Sequence, residues 1–286
     1  MPSTQQVRCR QIETSDADVV VDLLAQGFPS RTRNYWARAM NVLAARERLP
    51  DLPPFGYALE VDGRVVGVHL LIFHRRGDGD DAPVWCNTSA LYVDPRYQGY
   101  GALLVSKASR LKNVTYLNTT ASPHTWPLLE ATGYRRYTEG QFVSFPALSG
   151  GARATVALLH ECPAHRALTD YGLLRTHADA GCVTLVCETA GGPLPFAFVR
   201  RRIAYAPIGV MQLVYCRDTA GFVAHAGPLG RFLLSQGATC VILDADGPIK
   251  GLSGVFYRNK TPRYFKGPGK PIPNDLAFTE TVLFGP

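Results

Sequence analysis

Polar and apolar positions alternate over Val7–Ile12, which predicts a short opening strand. Thr14-Ser-Asp-Ala-Asp then offers an N-cap with early acidic residues, followed by Val19, Val20, Leu23 and Leu24 at helical spacing. Gly27-Phe-Pro-Ser stops that helix, and a second is predicted from Thr32 to Arg48, ended by Pro50 and Pro54. Tyr57–Val61 and Arg64–His74 flank Asp62-Gly63, the strongest short hairpin signal. Val84–Val93 reads as a strand, Gly99–Leu111 as a helix, Val114–Asn118 as a strand and Pro123–Ala131 as a short helix. Gly133-Tyr134 leads to a last strand near Phe142–Phe145. The predicted order is β-α-α-β-β-β-α-β-α-β.

Ser149-Gly150-Gly151 marks the expected boundary between a domain over 1–148 and another over 149–286. The second half repeats the theme in element order, not in residue identity. It reads as strand Thr155–His160, helix Ala164–Ala180, hairpin Val183–Glu188 with Phe196–Arg202, strand Met211–Cys216, helix Phe222–Gln236 and strand Cys240–Leu243. Tyr257–Lys270 mixes cations with aromatics and is expected to be a solvated loop anchored by its aromatic rings. The expected class is therefore α/β (α+β), a mixed β-sheet flanked by helices in two similar tandem domains.

A chain of 286 residues fits two domains of roughly 140 residues each. Apolar content of 46% supports substantial cores. No apolar run approaches the ~20 residues that span a bilayer, and Met1–Gln6 carries no leader signature. Seven cysteines stand singly without a CxxC pair, which points to reduced thiols in a cytoplasm rather than to disulfides or zinc. Asp244-Ala-Asp246 offers two lone carboxylates, too few for a hard cation, so no metal is expected.

The segment Leu91–Ser106 carries the chemistry: an apolar strand, a turn with Gly99 and Gly101, then a helix start. Such a turn aims several N–H groups and a helix N-terminus at one point and makes a pyrophosphate cradle. Arg96-Tyr97-Gln98-Gly99-Tyr100-Gly101 after Leu91-Tyr92-Val93-Asp94-Pro95 resembles the signature of the GCN5-related N-acetyltransferase (GNAT) superfamily, [Gln/Arg]-x-x-Gly-x-[Gly/Ala]. The resemblance covers roughly residues 7–146, including Gly133-Tyr134 as the Gly-aromatic pair after the last helix.

The resemblance implies direct acyl transfer from a bound acyl-CoA, acetyl-CoA first, to an amine of a small acceptor such as an amino sugar or amino acid. It implies that Leu91, Val93, Arg96, Gln98, Gly99, Tyr100, Gly101, Ala102 and Asn118 hold the cosubstrate. An N–H of the strand near Leu91 and Val93 would then stabilise the developing oxyanion.

Two parts of the family pattern are missing. Leu129 stands where many members carry a tyrosine acid, and Val84–Val93 contains no carboxylate. The CoA thiol, with a pKa near 8.5, leaves tolerably without an acid, whereas an alkyl amine near 10.4 benefits from a base. His124, His69, Asn87 and Ser122 are the catalytic candidates, and strict alternation would put Asn87 and Ser89 on the face of Leu91 and Val93. His74 and Glu60 are expected to be surface residues.

The second half lacks the Arg-x-x-Gly-x-Gly spacing at Arg217–Gly221, so it is expected to be a divergent copy without a CoA loop. The net charge of +7 favours an anionic partner. Its basic residues are dispersed, which makes nucleic acid a weaker reading than a small polyanion. The alternatives are a catalytically inactive CoA-binding regulatory protein and a basic nucleic-acid-binding or modifying module.

Overall fold

The alternation at the start of the chain forms β1 (Val7–Gln11), and the helical spacing after it forms α1 (Ala17–Gly27) and α2 (Arg33–Ala45). A computed structural model describes residues 5–77, 79–161, 163–201 and 208–285. Thr32 caps α2 by accepting from the Tyr35 N–H at 3.2 Å. Asp62 and Gly63 both adopt positive φ, 50° and 79°, the combination a tight two-residue hairpin requires. They join β2 (Gly56–Val61) to β3 (Arg64–Arg75).

β4 (Val84–Val93), α3 (Gly101–Ala108), β5 (Val114–Asn118), α4 (Trp126–Ala131) and β6 (Arg135–Ser144) follow. The rest of the chain forms β7 (Thr155–Leu158), α5 (Tyr171–Asp179), β8 (Val183–Thr189), β9 (Gly192–Arg201) and β10 (Val210–Cys216). Then come α6 (Thr219–Ala224), α7 (Ala226–Ser235), β11 (Cys240–Ala245), β12 (Gly254–Lys266) and α8 (Glu280–Leu283). Arg202 and Cys162 lie outside the described residues.

The chain divides into two compact units, Met1–Arg135 with Tyr264–Lys270, and Arg136–Arg263 with Pro271–Pro286. In the first, β1 to β4 pair antiparallel in order, β4 and β5 are parallel, and Tyr264–Lys266 of β12 pairs antiparallel with β5. In the second, β7 to β10 pair antiparallel in order, β10 and β11 are parallel, and β11 pairs antiparallel with β6. The two units thus repeat one connectivity around their parallel strand pairs.

These units differ from contiguous halves over 1–148 and 149–286. Nearly all of β6 belongs to the second unit, and the end of β12 belongs to the first. Apolar alternation fixes which face of a strand is buried and leaves its pairing partner open. Gly254–Lys266 is also a strand and not the expected solvated loop. Its first half is largely exposed, Arg258–Thr261 is a polar run, and Pro262 inside it hides the strand pattern.

The first unit's core gathers Leu59, Leu71, Cys86, Leu104, Tyr116, Leu129, Tyr134 and Tyr264. Phe142, Phe196, Phe198, Phe222 and Leu243 lead one core cluster of the second, with Leu174, Val199, Val214 and Leu276 in another.

Candidate active site

Along β4 the hydrogen-bonding register changes in the middle. Thr88 faces Leu71 of β3 and Leu91 faces His69, so Ser89 and Ala90 together oppose the single residue Leu70. This is a β-bulge, which reverses the alternation beyond it. Leu91 and Val93 therefore share a face with Cys86 and Thr88, whereas Asn87 shares one with Tyr92. The expected grouping of Asn87 with Leu91 and Val93 is corrected by that one extra residue.

The same stretch parts from its other neighbour. β4 pairs with β5 only through Val84–Asn87 and Val114–Leu117. Beyond them β4 runs on to Val93, while β5 ends at Asn118. Thr88 Oγ1 donates to the Leu117 carbonyl at 3.0 Å, and Asn87 Nδ2 to the same oxygen at 3.3 Å and to Thr119 Oγ1 at 3.5 Å. These side chains tie the strands together at the point of divergence. Tyr134 hydrogen-bonds Thr88 and Ser109 and braces the same place from the α3 side, burial pushing its phenol well up.

The turn after β4 is a 3-10 segment, Pro95–Tyr100, running directly into α3. Asp94 caps it: its carboxylate accepts from the Arg96 N–H at 3.0 Å and from the Arg96 guanidinium at 2.7 Å. Arg96 holds the Asp94 carboxyl down to about 2. Successive N–H groups of a 3-10 turn and a following helix start form an anion-binding concavity.

Gly99 and Gly101 keep ordinary negative φ. A Cβ at Gly99 would meet no protein atom within 4 Å, and one at Gly101 only Val93 Cγ2 at 3.8 Å. Neither backbone strain nor internal packing requires glycine here, and both positions leave the backbone open to close approach by a ligand. Gly67 differs: a Cβ there would crowd Val93 Cγ2 at 3.0 Å and Leu104 Cδ1 at 3.3 Å. That glycine lets α3 close on the strands.

At the end of β5, Asn118 Oδ1 is buried and has no hydrogen-bond partner. An unsatisfied buried acceptor is costly, and a ligand N–H would answer it. The residues present therefore fit a pantetheine diphosphate: a glycine-containing turn that runs into a helix start, a parted strand pair, and an unpartnered acceptor beside it.

His69 is buried and hydrogen-bonds the backbone of Leu104, while its Nδ1 has no partner. Burial lowers its pKa to about 4, so the ring is neutral near pH 7. It ties β3 to α3. Ser122 and His124 are exposed around the turn Pro123–Thr125, where the Ser122 carbonyl accepts from Thr125 Oγ1 at 2.8 Å. Leu129 is a core residue, so no acid sits at that position.

Glu60 pairs with Arg8 and Arg10, each at 2.7 Å, and the guanidiniums lower its pKa. His74 is buried, contrary to expectation, and its Nε2 accepts from Arg76 Nε at 3.2 Å. Thr88 escaped the sequence reading, because its role depends on where β4 and β5 part.

In the second unit Asp244 is fully committed: Arg263 Nε and Nη2 each bond its carboxylate at 2.9 Å with both side chains buried. Among the described residues no group of three or more His, Cys, Asp or Glu is placed to hold a metal. No helix among them is long and apolar enough to cross a membrane. Burial raises the Cys182 and Cys187 thiols to about 12 and about 11, which suppresses thiolate chemistry.

The sequence matches no protein-family model and no curated protein. Solved structures do resemble it. A GCN5-related N-acetyltransferase from Anabaena variabilis aligns with a TM-score of 0.58 over 91% of this chain and 72% of its own, at 9% identity. One from Kribbella flavida aligns at 0.54 over 92% and 71%, at 16% identity. The GCN5-related glucosamine N-acetyltransferase region of a fungal multi-domain GH3 β-N-acetylglucosaminidase aligns at 0.57, covering 92% of this chain and 38% of that one, at 10% identity. The chain has the GCN5-related N-acetyltransferase fold, a mixed sheet flanked by helices.

Proposed function

We propose that the first unit, built mainly from the first 135 residues, is an acyl-CoA-dependent N-acyltransferase that takes acetyl-CoA and an amine of a small-molecule acceptor. The observation that carries this reading is the turn Pro95–Tyr100: two glycines that no internal contact requires stand in a 3-10 turn that runs straight into a helix start at the end of a bulged, parted strand. Arg96, Gln98, Gly99, Tyr100, Gly101 and Ala102 would hold the diphosphate. Leu91, Val93 and Asn118 would hold the pantetheine arm.

In this reading the amine attacks the thioester carbonyl, and the CoA thiolate leaves with the bond's electron pair. An N–H near Leu91 or Val93 would bear the oxyanion, and holding both reactants together supplies much of the rate. Asn87, Thr88, Tyr134 and His69 position the strands that do this. Ser122 and His124 stand exposed just after β5, where His124 would accept the amine proton and Ser122 would bond the acceptor. The amino-sugar acceptor of the fungal region favours an amino sugar first among amines to test. The seven single cysteines without a CxxC pair support a cytoplasmic location, and the second unit would serve as a divergent copy without a CoA loop.

Calorimetric titration of acetyl-CoA into wild type and Gly99→Glu tests the reading. Micromolar binding by wild type, lost in the variant, is the expected result, with thiol release on adding amines as the second step. Binding without turnover across an amine series would favour the regulatory alternative. No binding by wild type overturns the reading.

A further inference from the structure

The second unit contains the same strand arrangement as the proposed site, and the chain's own C-terminal segment lies in it. β10 pairs with β11 only through Val210–Gln212 and Cys240–Ile242, after which the two strands part. Leu213 faces Phe198 of β9 and Tyr215 faces Ala197, so Val214 is an extra residue, a bulge close to the position of the one in β4. Val214 is the fifth residue of β10, as Thr88 is of β4, and Asp244 is the fifth of β11, as Asn118 is of β5.

The strand edges exposed by this parting are satisfied by residues 274–276. Leu276 donates its N–H to the carbonyl of the bulge residue Val214 at 2.8 Å. Asn274 spans the other side: its Oδ1 accepts from the Asp244 N–H at 2.6 Å, and its Nδ2 donates to the Asp244 carbonyl at 3.2 Å. The same Nδ2 reaches Thr219 Oγ1, at the start of α6, at 3.0 Å. A single amide side chain thus imitates a paired peptide group. Asn274 holds φ at 67°, a left-handed conformation that asparagine tolerates better than most residues.

The segment is buried as a core element. Asn274, Leu276, Ala277 and Thr279 are all inaccessible, and Leu276, Ala277 and Val282 pack with Leu174, Val199, Val214 and Tyr215. Thr279 Oγ1 donates to the Leu276 carbonyl at 2.7 Å and turns the chain into α8. The contrast with the first unit is specific. There the corresponding Asn118 keeps a buried side-chain acceptor without a partner, while here the Asp244 carboxylate is bonded by Arg263 and its main-chain groups by Asn274.

We propose that residues 274–279 are the resident occupant of the second unit's strand cleft, lying where a pantetheine arm would otherwise run. The proposal rests on the functional reading above only for the place of that arm. It assigns the chain one acyl-CoA, and it explains why the second copy can lack a phosphate turn: its cleft is already filled by peptide.

Hydrogen–deuterium exchange on the intact chain, with and without acetyl-CoA, tests this in wild type and Asn274→Gly. The glycine keeps the left-handed backbone and removes only the side-chain bonds. In wild type without ligand, peptides covering 240–245 and 272–279 are expected to exchange slowly, and added acetyl-CoA is expected to protect 88–102 and leave them unchanged. Asn274→Gly should speed exchange in both peptides by about tenfold while leaving 84–93 unaffected.

Exchange of 272–279 at the rate of an unstructured peptide overturns the proposal. So does protection of 210–216 and 240–245 by acetyl-CoA. Should acetyl-CoA protect nothing, the functional reading fails, while the ligand-free exchange of 272–279 still decides this one. Should the variant unfold throughout, the wild-type exchange pattern alone decides it.

Discussion

Asn118 and Asp244 each stand fifth in the strand that runs parallel to the bulged strand of their unit, and their polar groups are satisfied in opposite ways. Asn118 keeps a buried Oδ1 without a partner, whereas Asp244 is bonded through its N–H, its carbonyl and both carboxylate oxygens. The first arrangement is suited to receive a ligand, and the second is closed.

Asn118→Ala is therefore expected to weaken acetyl-CoA binding by about tenfold with no drop in thermal midpoint, since the lost acceptor serves no internal bond and is itself costly to bury. Calorimetric titration and a melting curve on the same sample check it. A lowered midpoint with unchanged affinity would assign Asn118 a structural role instead.

Breaking the buried Arg263–Asp244 pair from one side should cost far more. Arg263→Met leaves an uncompensated buried carboxylate, for which about 3–5 kcal/mol is expected. Adding Asp244→Asn removes that charge and should restore a large part of the loss. Urea unfolding of the single and double variants measures both, and equal instability of the two would show that packing rather than charge dominates.

The His69 ring gives the protein a defined acid response. Above about pH 6.5 the ring is neutral in folded and unfolded chains alike and contributes nothing. Between pH 6.5 and 4 only the unfolded chain takes up the proton, so stability falls, by up to about 3 kcal/mol, and levels off below the folded value of about 4. Asp94 acts lower: its carboxyl is depressed from 3.8 to about 2, so the stability it contributes above pH 3.8 is lost between those values. His69→Gln should flatten the pH 4–6.5 part of the stability profile and leave the lower part. An unchanged slope would remove His69 as its source.

Thr88 and Tyr134 form a fourth test, because they meet at the point where β4 and β5 separate. Thr88→Val keeps shape and removes the hydroxyl that bonds both Tyr134 and the Leu117 carbonyl, at an expected cost of about 1–2 kcal/mol. Tyr134→Phe should cost less on top of it than in wild type, since the two share one bond and only the bond to Ser109 is left to lose. A double-mutant cycle reads the coupling directly, and full additivity would show that the hydroxyls act independently.

Much of the first unit was legible along the chain because its signals are local. Asp62-Gly63 dictated a hairpin, Val84–Val93 and Val114–Asn118 emerged with the expected ends, and the glycines at 99 and 101 marked the turn before α3. Other features had no local signature. The bulge at Ser89–Ala90 shifts alternation by one residue, and only pairing with Leu70 shows it. His69 and His74 read as candidate and surface residue until packing buried both.

By itself the sequence determined the order of strands and helices in the first half of the chain, the two hairpins and the turn at Pro95–Tyr100, since each depends on backbone preferences of adjacent residues. The tertiary structure alone decided which strands pair, and so placed nearly all of β6 in the second unit and the end of β12 in the first. It also decided that Asn274 and Leu276 bond Asp244 and Val214, residues 30 and 62 positions away. Strand edges present the same N–H and C=O groups whatever their side chains, so their partners are selected by burial and closure of the whole fold.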